Sequence, residues 1–299
     1  MHYSGFLFFR GRFLFPYELW SVWNLRRQCS KRSDSPTSCH ESQSRRERKN
    51  LETGDSHQDS VQKYFTKYHG AYRTSSSHAT GEDLHILIDS LSLPPRSKVL
   101  DTACGTGHTA VALAALGHDV VGMDLTDAML QDARELARNR HLTVEWVQGD
   151  VHNLPWPSDT FQAVTCRRAA HHFTSPAQFV RESFRVLKHG GKIGIADMTA
   201  PTEAIDALNT VERLRDPSHQ RTMSANEWTS LMVAGGYDIE YLQVWTECLD
   251  PHDWLYPVSW DSIEGRAVMK NLYAETISQK LLYEGHFVKY RIVLVANKP

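Results

Sequence analysis

Short apolar runs alternate with amphipathic segments through the middle of the chain. The apolar runs predict strands at 97–103, 119–124, 143–148, 161–166 and 192–197. Apolar residues at helical spacing predict helices at 108–116, 127–139 and 176–188. The last of these helices has a Ser175-Pro176 start and is followed by a Gly190-Gly191 stop. This alternation indicates an α/β fold with a doubly wound, Rossmann-like sheet.

The flanking regions follow a different pattern. Helical spacing recurs at 61–65, 82–91, 224–234 and 262–281, with a polar loop at 72–79. Two long strands are predicted at 237–248 and 286–296. The segment between these strands is too long for a hairpin turn, which makes it a candidate cover for a pocket. Its aromatic residues Trp254, Tyr256 and Trp260 fit either such a lid or an aromatic core.

Residues 1–60 differ from the rest in composition. The first apolar runs are broken by Arg10 and Arg12, and residues 30–60 are rich in Ser, Arg and Glu with few large apolar side chains. We predict a disordered basic extension at 1–60 and a globular domain at 61–299. The first 30 residues also fit a membrane-touching segment or an Arg-rich organelle transit peptide, but we expect an extension without a folding role.

Charge and cysteine content narrow the possible functions. Residues 1–50 hold ten Lys or Arg and four Asp or Glu, a net charge of +6, whereas residues 51–299 hold 23 and 31, a net charge of −8. The acidic domain shows no electrostatic footprint for nucleic acid. Five cysteines without metal-ligand spacing predict reduced thiols, no metal site and a cytoplasmic location.

The segment from Lys98 to Ala110 reads as a strand, a tight turn and the start of a helix. Gly105 and Gly107 accept a positive φ angle and let a ligand approach the backbone closely. The start of the following helix offers unpaired N–H groups. The same glycine spacing fits the dinucleotide fingerprint, so this segment alone leaves an NAD-dependent oxidoreductase open.

Acidic residues close three consecutive predicted strands, at Asp101, Asp124 and Asp150. Asp124 is placed to accept both hydroxyls of a ribose, with a helix-capping Asp before Leu125-Thr126 as the alternative. Asp150 is placed to accept from an adenine amino group, while Val151 offers a backbone N–H. Three carboxylates repel a pyrophosphate and attract a cationic cofactor. We expect Asp124→Ala to weaken cofactor binding with little effect on folding.

Four motifs in order carry a family resemblance. They are Asp101-x-x-Cys-Gly-Thr-Gly107, Val121-Gly-Met-Asp124, Gly149-Asp150 with Leu154-Pro-Trp-Pro157, and Leu187-Lys-x-Gly-Gly191. They resemble the motifs of class I S-adenosylmethionine-dependent methyltransferases, most closely the ubiquinone/menaquinone C-methyltransferase-like (methyltransferase type 11) group. The resemblance covers about residues 61–299 and implies a seven-stranded sheet whose last strand is antiparallel. It also implies methyl transfer from S-adenosylmethionine to a small-molecule acceptor.

The resemblance further implies a cofactor site. It places Gly105 and Gly107 beside the methionine part of the cofactor, and Asp101 near the amino group. Asp124 corresponds to the ribose position, and Asp150 with Val151 to the adenine position. The remaining residues that we assign to the cofactor site are Ala103, Leu125, Met129 and Arg167.

The sequence departs from the quinone-methylating pattern after the fourth strand, where it reads Thr165-Cys-Arg-Arg-Ala-Ala-His-His-Phe173. A quinone substrate is therefore not carried over. We predict that Arg167 binds the cofactor carboxylate or an anionic group of the substrate. His171 or His172 is the predicted general base, because histidine titrates near neutrality. The alternatives are a solvated arginine and histidines packed beside Phe173.

The acceptor is expected above the carboxyl ends of strands four and five, covered by segments 61–79, 166–173 and 199–225. The side chains expected there are Tyr72, His78, Arg167, His171, His172, Arg213 and Arg215, with solvated surface as the alternative for the last two. No motif identifies the acceptor, the atom methylated or the oligomeric state. Besides the oxidoreductase, the remaining alternative is a module that binds S-adenosylmethionine without turnover.

Overall fold

The computed structural model describes residues 57–70, 72–73 and 76–299. The predicted extension lies outside the described residues except for 57–60, which are helical. The boundary between extension and domain stays a prediction.

The strands form one mixed sheet. Their bounds are β1 Lys98–Thr102, β2 Asp119–Asp124, β3 Glu145–Gln148, β4 Phe161–Arg167, β5 Leu187–Thr199, β6 Asp238–Leu249, β7 Leu282–Tyr283 and β8 His286–Asn297. The order is β3-β2-β1-β4-β5-β8-β6, and the short β7 pairs with the start of β8. Strands β1 to β5 are parallel, and β8 runs antiparallel to both β5 and β6. The antiparallel last strand confirms the predicted fold.

Helices surround this sheet. Their bounds are α1 57–70, α2 Ser76–Thr80, α3 Glu82–Leu91, α4 His108–Ala115, α5 Asp127–Asn139, α6 Pro176–Val186, α7 Ile205–Arg215, α8 Ala225–Ala234, α9 Pro251–Leu255, α10 Ile263–Leu272 and α11 Glu275–Leu281. A short 3-10 helix, Ala170–His172, follows β4. None of the helices in the described part of the chain has the length and apolar character needed to cross a bilayer.

Burial along the strands explains the sequence pattern. Strands β1, β2 and β4 are buried along nearly their whole length, as expected for parallel strands covered on both faces. The outermost strand β6 instead alternates between exposed and half-buried residues, which is typical of an edge strand. The Ser224–Glu227 capping box is formed at the start of α8, as predicted.

Several details differ from the predictions, among them the helix predicted at 262–281, which is divided into α10 and α11. Helix α6 ends at Val186 because the fully buried Leu187 already pairs with Phe161, so Gly190-Gly191 lies within β5 rather than at a helix stop. The predicted polar loop at 72–79 contains α2. The three aromatic residues of the segment between the two long strands do not share one environment, since Trp254 is buried in the core whereas Tyr256 and Trp260 are exposed.

Candidate functional site

The main cleft lies where the strand order reverses. Strand β1 leads to β2 on one side and to β4 on the other. Open α/β sheets bind ligands at such a switch point, outside the carboxyl ends of the strands. The switch-point cleft, about 1030 Å³ in volume, is lined by residues that follow β1, β2, β3 and β4 and by one side of α1.

The glycine turn after β1 forms one wall of this cleft. Ala103, Gly105 and Gly107 all have positive φ angles, of 48°, 53° and 84°. A Cβ atom on Gly105 would meet nothing within 4 Å, and this residue borders the cleft. A Cβ atom on Gly107 would lie 2.8 Å from Trp146 and 2.9 Å from the Cβ of Ala133. Gly107 is therefore required for helix packing, and it does not line the cleft.

Asp101 presents an unpartnered oxygen at the base of the cleft. The hydroxyl of Thr165 donates to Oδ1 at 2.7 Å, while Oδ2 is buried without a hydrogen-bond partner. Burial raises the pKa of Asp101 to about 7, against the effect of the Thr165 hydrogen bond. An oxygen in this state favours a cationic group beside it.

Asp124 ends β2 and organises two backbone segments. Its Oδ2 accepts from the backbone N–H of Gly105 at 2.8 Å, and its Oδ1 accepts from that of Thr126 at 2.9 Å. Burial raises the pKa of Asp124 to about 6, although these hydrogen bonds oppose the rise. Asp124 thus lines the cleft and also ties the glycine turn to the start of α5.

Asp150 lies at the other end of the cleft, beside the buried Val151. Its carboxylate accepts from Gln58 of α1 at 2.7 Å and from the backbone N–H of His152 at 3.0 Å. Burial acts to raise the pKa of Asp150, but the hydrogen bonds with His152 dominate and lower it. Leu125 and Met129 supply apolar surface to the same cleft.

Arg167 is held in a buried ion pair. Asp83 of α3 accepts from Arg167 Nε at 3.0 Å and from Arg168 Nε at 2.7 Å, so one carboxylate serves two guanidinium groups. Arg167 also donates to the carbonyl of His78. Burial lowers the pKa of Arg167 and the charge of Asp83 opposes this change. Arg167 borders the cleft, but most of its polar contacts are to α2 and α3.

The two predicted histidines lie in the 3-10 helix after β4. His171 Nδ1 is 2.6 Å from Asp197 Oδ1. A carboxylate can only accept, so Nδ1 carries the proton and Nε2 is left as an acceptor. Nε2 makes no hydrogen bond to any described residue. This histidine–carboxylate pair is the arrangement of an oriented general base.

His172 is neutral at neutral pH. Its Nδ1 lies 3.0 Å from the carbonyl of Ser218, which requires the proton on Nδ1. Burial and the neighbouring His171 charge lower the pKa of His172 to about 4. The two imidazole rings are 4.1 Å apart, and the ring of His219 is 5.5 Å from that of His171.

A second cavity of about 1130 Å³ adjoins the cleft. The residues that line both spaces form their common wall, and they are Phe65, Tyr72, His78, Arg168 and His172. His171 and Asp197 line the second cavity only. Each of the three segments expected to cover an acceptor contributes to this cavity, including Arg215 of α7, whereas Arg213 is exposed.

Nine of the ten residues assigned to the cofactor site border the switch-point cleft, and Gly107 is the exception. Sequence reasoning did not find Gln58, Asp83, Asp197 or Lys289. Gln58 lies in the region assigned to the extension, and the other three lack a motif. Of these residues, Asp197 could have been found, because it lies near the end of β5 as Asp101 and Asp124 lie near the ends of β1 and β2. Among the described residues, no group of three or more His, Cys, Asp or Glu is placed to hold a metal ion.

Comparison with known proteins supports a common origin with methyltransferases. Residues 100–195 match the family model described as methyltransferase domain. An uncharacterized methyltransferase of Bacillus subtilis, YcgJ, is 35% identical over 194 residues, which cover 64% of this chain and 77% of the relative. A demethylmenaquinone methyltransferase of Renibacterium salmoninarum is 28% identical over 189 residues, covering 63% and 77% respectively.

Solved structures agree with the sheet topology. The crystal structure of a candidate methyltransferase from Bacillus halodurans C-125 superposes with a TM-score of 0.67 and 34% identity. The match covers 73% of this chain and all of the other.

Proposed function

Because the chain belongs to the class I S-adenosylmethionine-dependent methyltransferase family, we propose that the switch-point cleft binds the cofactor and that the second cavity binds the acceptor. The protein is an enzyme that transfers a methyl group from S-adenosylmethionine to a small molecule. The observation that supports the assignment of the two sites is their common wall, since ligands bound in the two spaces would lie side by side.

The cleft residues fit the cofactor. The unpartnered, buried Oδ2 of Asp101 would accept from its ammonium group. Gly105 leaves space for the methionine part, Asp124 faces the ribose position, and Asp150 with Val151 borders the adenine position. Leu125, Met129 and Ala103 would cover the apolar surfaces. When bound, S-adenosylmethionine supplies an electrophilic methyl group.

The residues of the second cavity have two tasks. They hold the acceptor in line with the methyl group, which makes the reaction effectively unimolecular. They also remove a proton where the acceptor has one to lose. His171 is our proposed base, since Asp197 fixes its tautomer and leaves Nε2 unbonded beside the second cavity. His172, kept neutral in the common wall, would orient the acceptor.

Arg167 is proposed as a positioning residue at the cleft margin. Its ion pair with Asp83 and its bond to the His78 carbonyl hold α2 and α3 against the end of β4. An additional contact from its guanidinium to the cofactor carboxylate stays a prediction. The cytoplasmic location also stays a prediction, and it rests on the free thiols of Cys104, Cys166 and Cys248. Fractionation of tagged full-length protein would test it.

Release of S-adenosylhomocysteine during incubation with a metabolite panel would identify the acceptor. With that acceptor, His171→Ala should lower kcat by about a hundredfold or more, the usual contribution of a general base. Asp197→Asn should lower it in the same direction because it disturbs the tautomer. His189→Ala, at an exposed histidine remote from the second cavity, is the matched control. Wild-type kcat in His171→Ala would remove this residue from the mechanism.

A further inference from the structure

The second cavity is lined by charged side chains of both signs, and its four carboxylates are Asp197, Asp216, Glu247 and Asp253. Four basic side chains line it, and they are Arg168, Arg215, Lys289 and Arg291. Cations that face a cavity either neutralise carboxylates of the protein or are available to a ligand. The ion pairs that each side chain forms show which of these two roles it has.

The three arginines already have carboxylate partners. Arg168 pairs with Asp83 through Nε at 2.7 Å and through Nη2 at 2.7 Å. Arg215 pairs with the buried Glu212 at 2.7 Å, one turn earlier on α7. Burial acts to raise the pKa of Glu212, but the charge of Arg215 outweighs it and, with smaller contributions from His219 and Lys289, lowers the pKa to about 2.

Arg291 takes the carboxylate that would otherwise serve Lys289. Glu247 on β6 lies directly across the ladder from Lys289 on β8. Its carboxylate is instead bound by Arg291 Nε at 3.3 Å, two residues farther along β8. Among the described residues, none forms an ion pair or a side-chain hydrogen bond with the Lys289 ammonium.

Lys289 is buried near several other cations and has no ion pair among the described residues. Burial and the charge of Arg291 lower the pKa of Lys289 to about 7, and Arg215 and Arg168 act in the same direction, whereas the charge of Glu212 opposes this change. The carboxylates that face the cavity do not compensate it. Asp197 pairs with His171, Asp216 accepts from Ser218, and Asp253 is exposed and makes no ion pair with Lys289.

The position of Lys289 determines where the anionic group of a ligand would lie. Lys289 lines the second cavity but not the switch-point cleft. An anionic group beside it would therefore lie away from the methyl donor, with the rest of the molecule directed toward the common wall. Phe65 and Tyr72 in that wall, together with the buried Trp254, offer aromatic surface for the rest of the molecule.

We propose that the acceptor is an aromatic carboxylic acid whose carboxylate is anchored by Lys289, while another atom of the same molecule receives the methyl group. This inference rests on the assignment of the second cavity to the acceptor. The three arginines are neutralised by their own carboxylates, so the ammonium of Lys289 is the cation that is left to match one negative charge of a ligand. The contact with Lys289 orients the acceptor, and Lys289 takes no part in the methyl transfer itself.

The test compares two probes that differ in charge. Full-length protein saturated with S-adenosylhomocysteine is titrated by calorimetry with 2-naphthoate and with 2-naphthamide. We expect the carboxylate to bind at least about tenfold more tightly than the amide, as for a charge-assisted contact. Lys289→Met should abolish that preference, and Lys289→Arg should retain most of it. Lys280→Met, at an exposed lysine on α11, is the matched control and should behave as the wild type.

The outcomes separate the two proposals. Equal affinity for both probes, no binding of the carboxylate at millimolar concentration, or an unchanged preference in Lys289→Met would overturn the carboxylate anchor. S-adenosylhomocysteine affinity is measured in each variant first. If the wild type does not bind S-adenosylhomocysteine, the assignment of the switch-point cleft fails instead.

Discussion

Asp101 is the side chain whose surroundings most directly favour a cationic ligand. With a pKa of about 7, it becomes protonated as the pH falls from about 8 to about 6, and it then no longer attracts an ammonium group. We expect S-adenosylhomocysteine affinity to fall by up to about tenfold per pH unit below this pKa. Asp101→Asn should weaken binding by about ten- to a hundredfold near pH 8 and remove most of the pH dependence. Calorimetric titration at several pH values measures both effects.

The free energy of unfolding of Asp101→Asn is the control, because it shows whether the substitution affects folding. Because the pKa of Asp101 is raised, the folded protein holds this proton more tightly than the unfolded chain, so stability is lost as the pH rises from about 4 through about 7. A neutral Asn should therefore not unfold the protein at neutral pH. Wild-type affinity together with a wild-type pH profile in Asp101→Asn would contradict the ammonium contact.

Asp124 has a structural role, since it caps the backbone at Thr126 as the sequence alternative allowed and also binds the glycine turn. Asp124→Ala removes the acceptor for the backbone N–H groups of Gly105 and Thr126. We now expect the variant to lose about 2–4 kcal/mol in free energy of unfolding, since two donors become unsatisfied. Cofactor affinity should fall by roughly 1.5–3 kcal/mol as well. This replaces the expectation from sequence that Asp124→Ala would have little effect on folding.

Urea unfolding of the Asp124 variants gives the first quantity, and titration with S-adenosylhomocysteine gives the second. Asp124→Asn keeps one acceptor oxygen and should fall between the wild type and Asp124→Ala. A fully stable Asp124→Ala with weakened binding would restore the simpler interpretation.

The carboxylate of Asp83 attaches α3 to the two arginines at the end of β4, and Arg167 in turn donates to the carbonyl of His78 on α2. Asp83→Ala would leave Arg167 and Arg168 buried without that partner, and breaking a buried ion pair in this way costs about 3–5 kcal/mol. Hydrogen exchange should accelerate first in 76–91 and 167–172. Asp89→Ala, at an exposed position on the same helix, should change little. Uniform destabilisation without local exchange would argue against such a clamp.

For the molecule as a whole, cofactor binding should be visible as thermal stabilisation. A ligand that binds only the folded state adds about 2.7 kcal/mol at about 100 times its Kd. For a domain of this size, that corresponds to an increase in Tm of roughly 5–10 °C with S-adenosylhomocysteine. NAD should produce no increase. A shift with NAD alone would contradict the cofactor assignment.

The central elements were predictable because their signals are local. Apolar runs, helical spacing and the Ser224 capping box arise within a few residues, and they predicted β1, β2, β4, α5 and α8 closely. The antiparallel β8 did not follow from periodicity, and it came from the resemblance to the family. Helix α6 was predicted too long, because pairing of Leu187 with Phe161 overrides the local stop signal.

The lining of the switch-point cleft was determined by the sequence itself, since carboxylates at strand ends and glycines in a turn are ordered along the chain. The lining of the second cavity was decided only by the tertiary structure. Asp83 meets Arg167 and Arg168 across more than 80 positions, Asp197 meets His171 across 26, and Arg291 rather than Lys289 takes Glu247. Such pairings depend on strand register and on competition for one carboxylate. No local pattern encodes either, because both arise only when distant segments pack together.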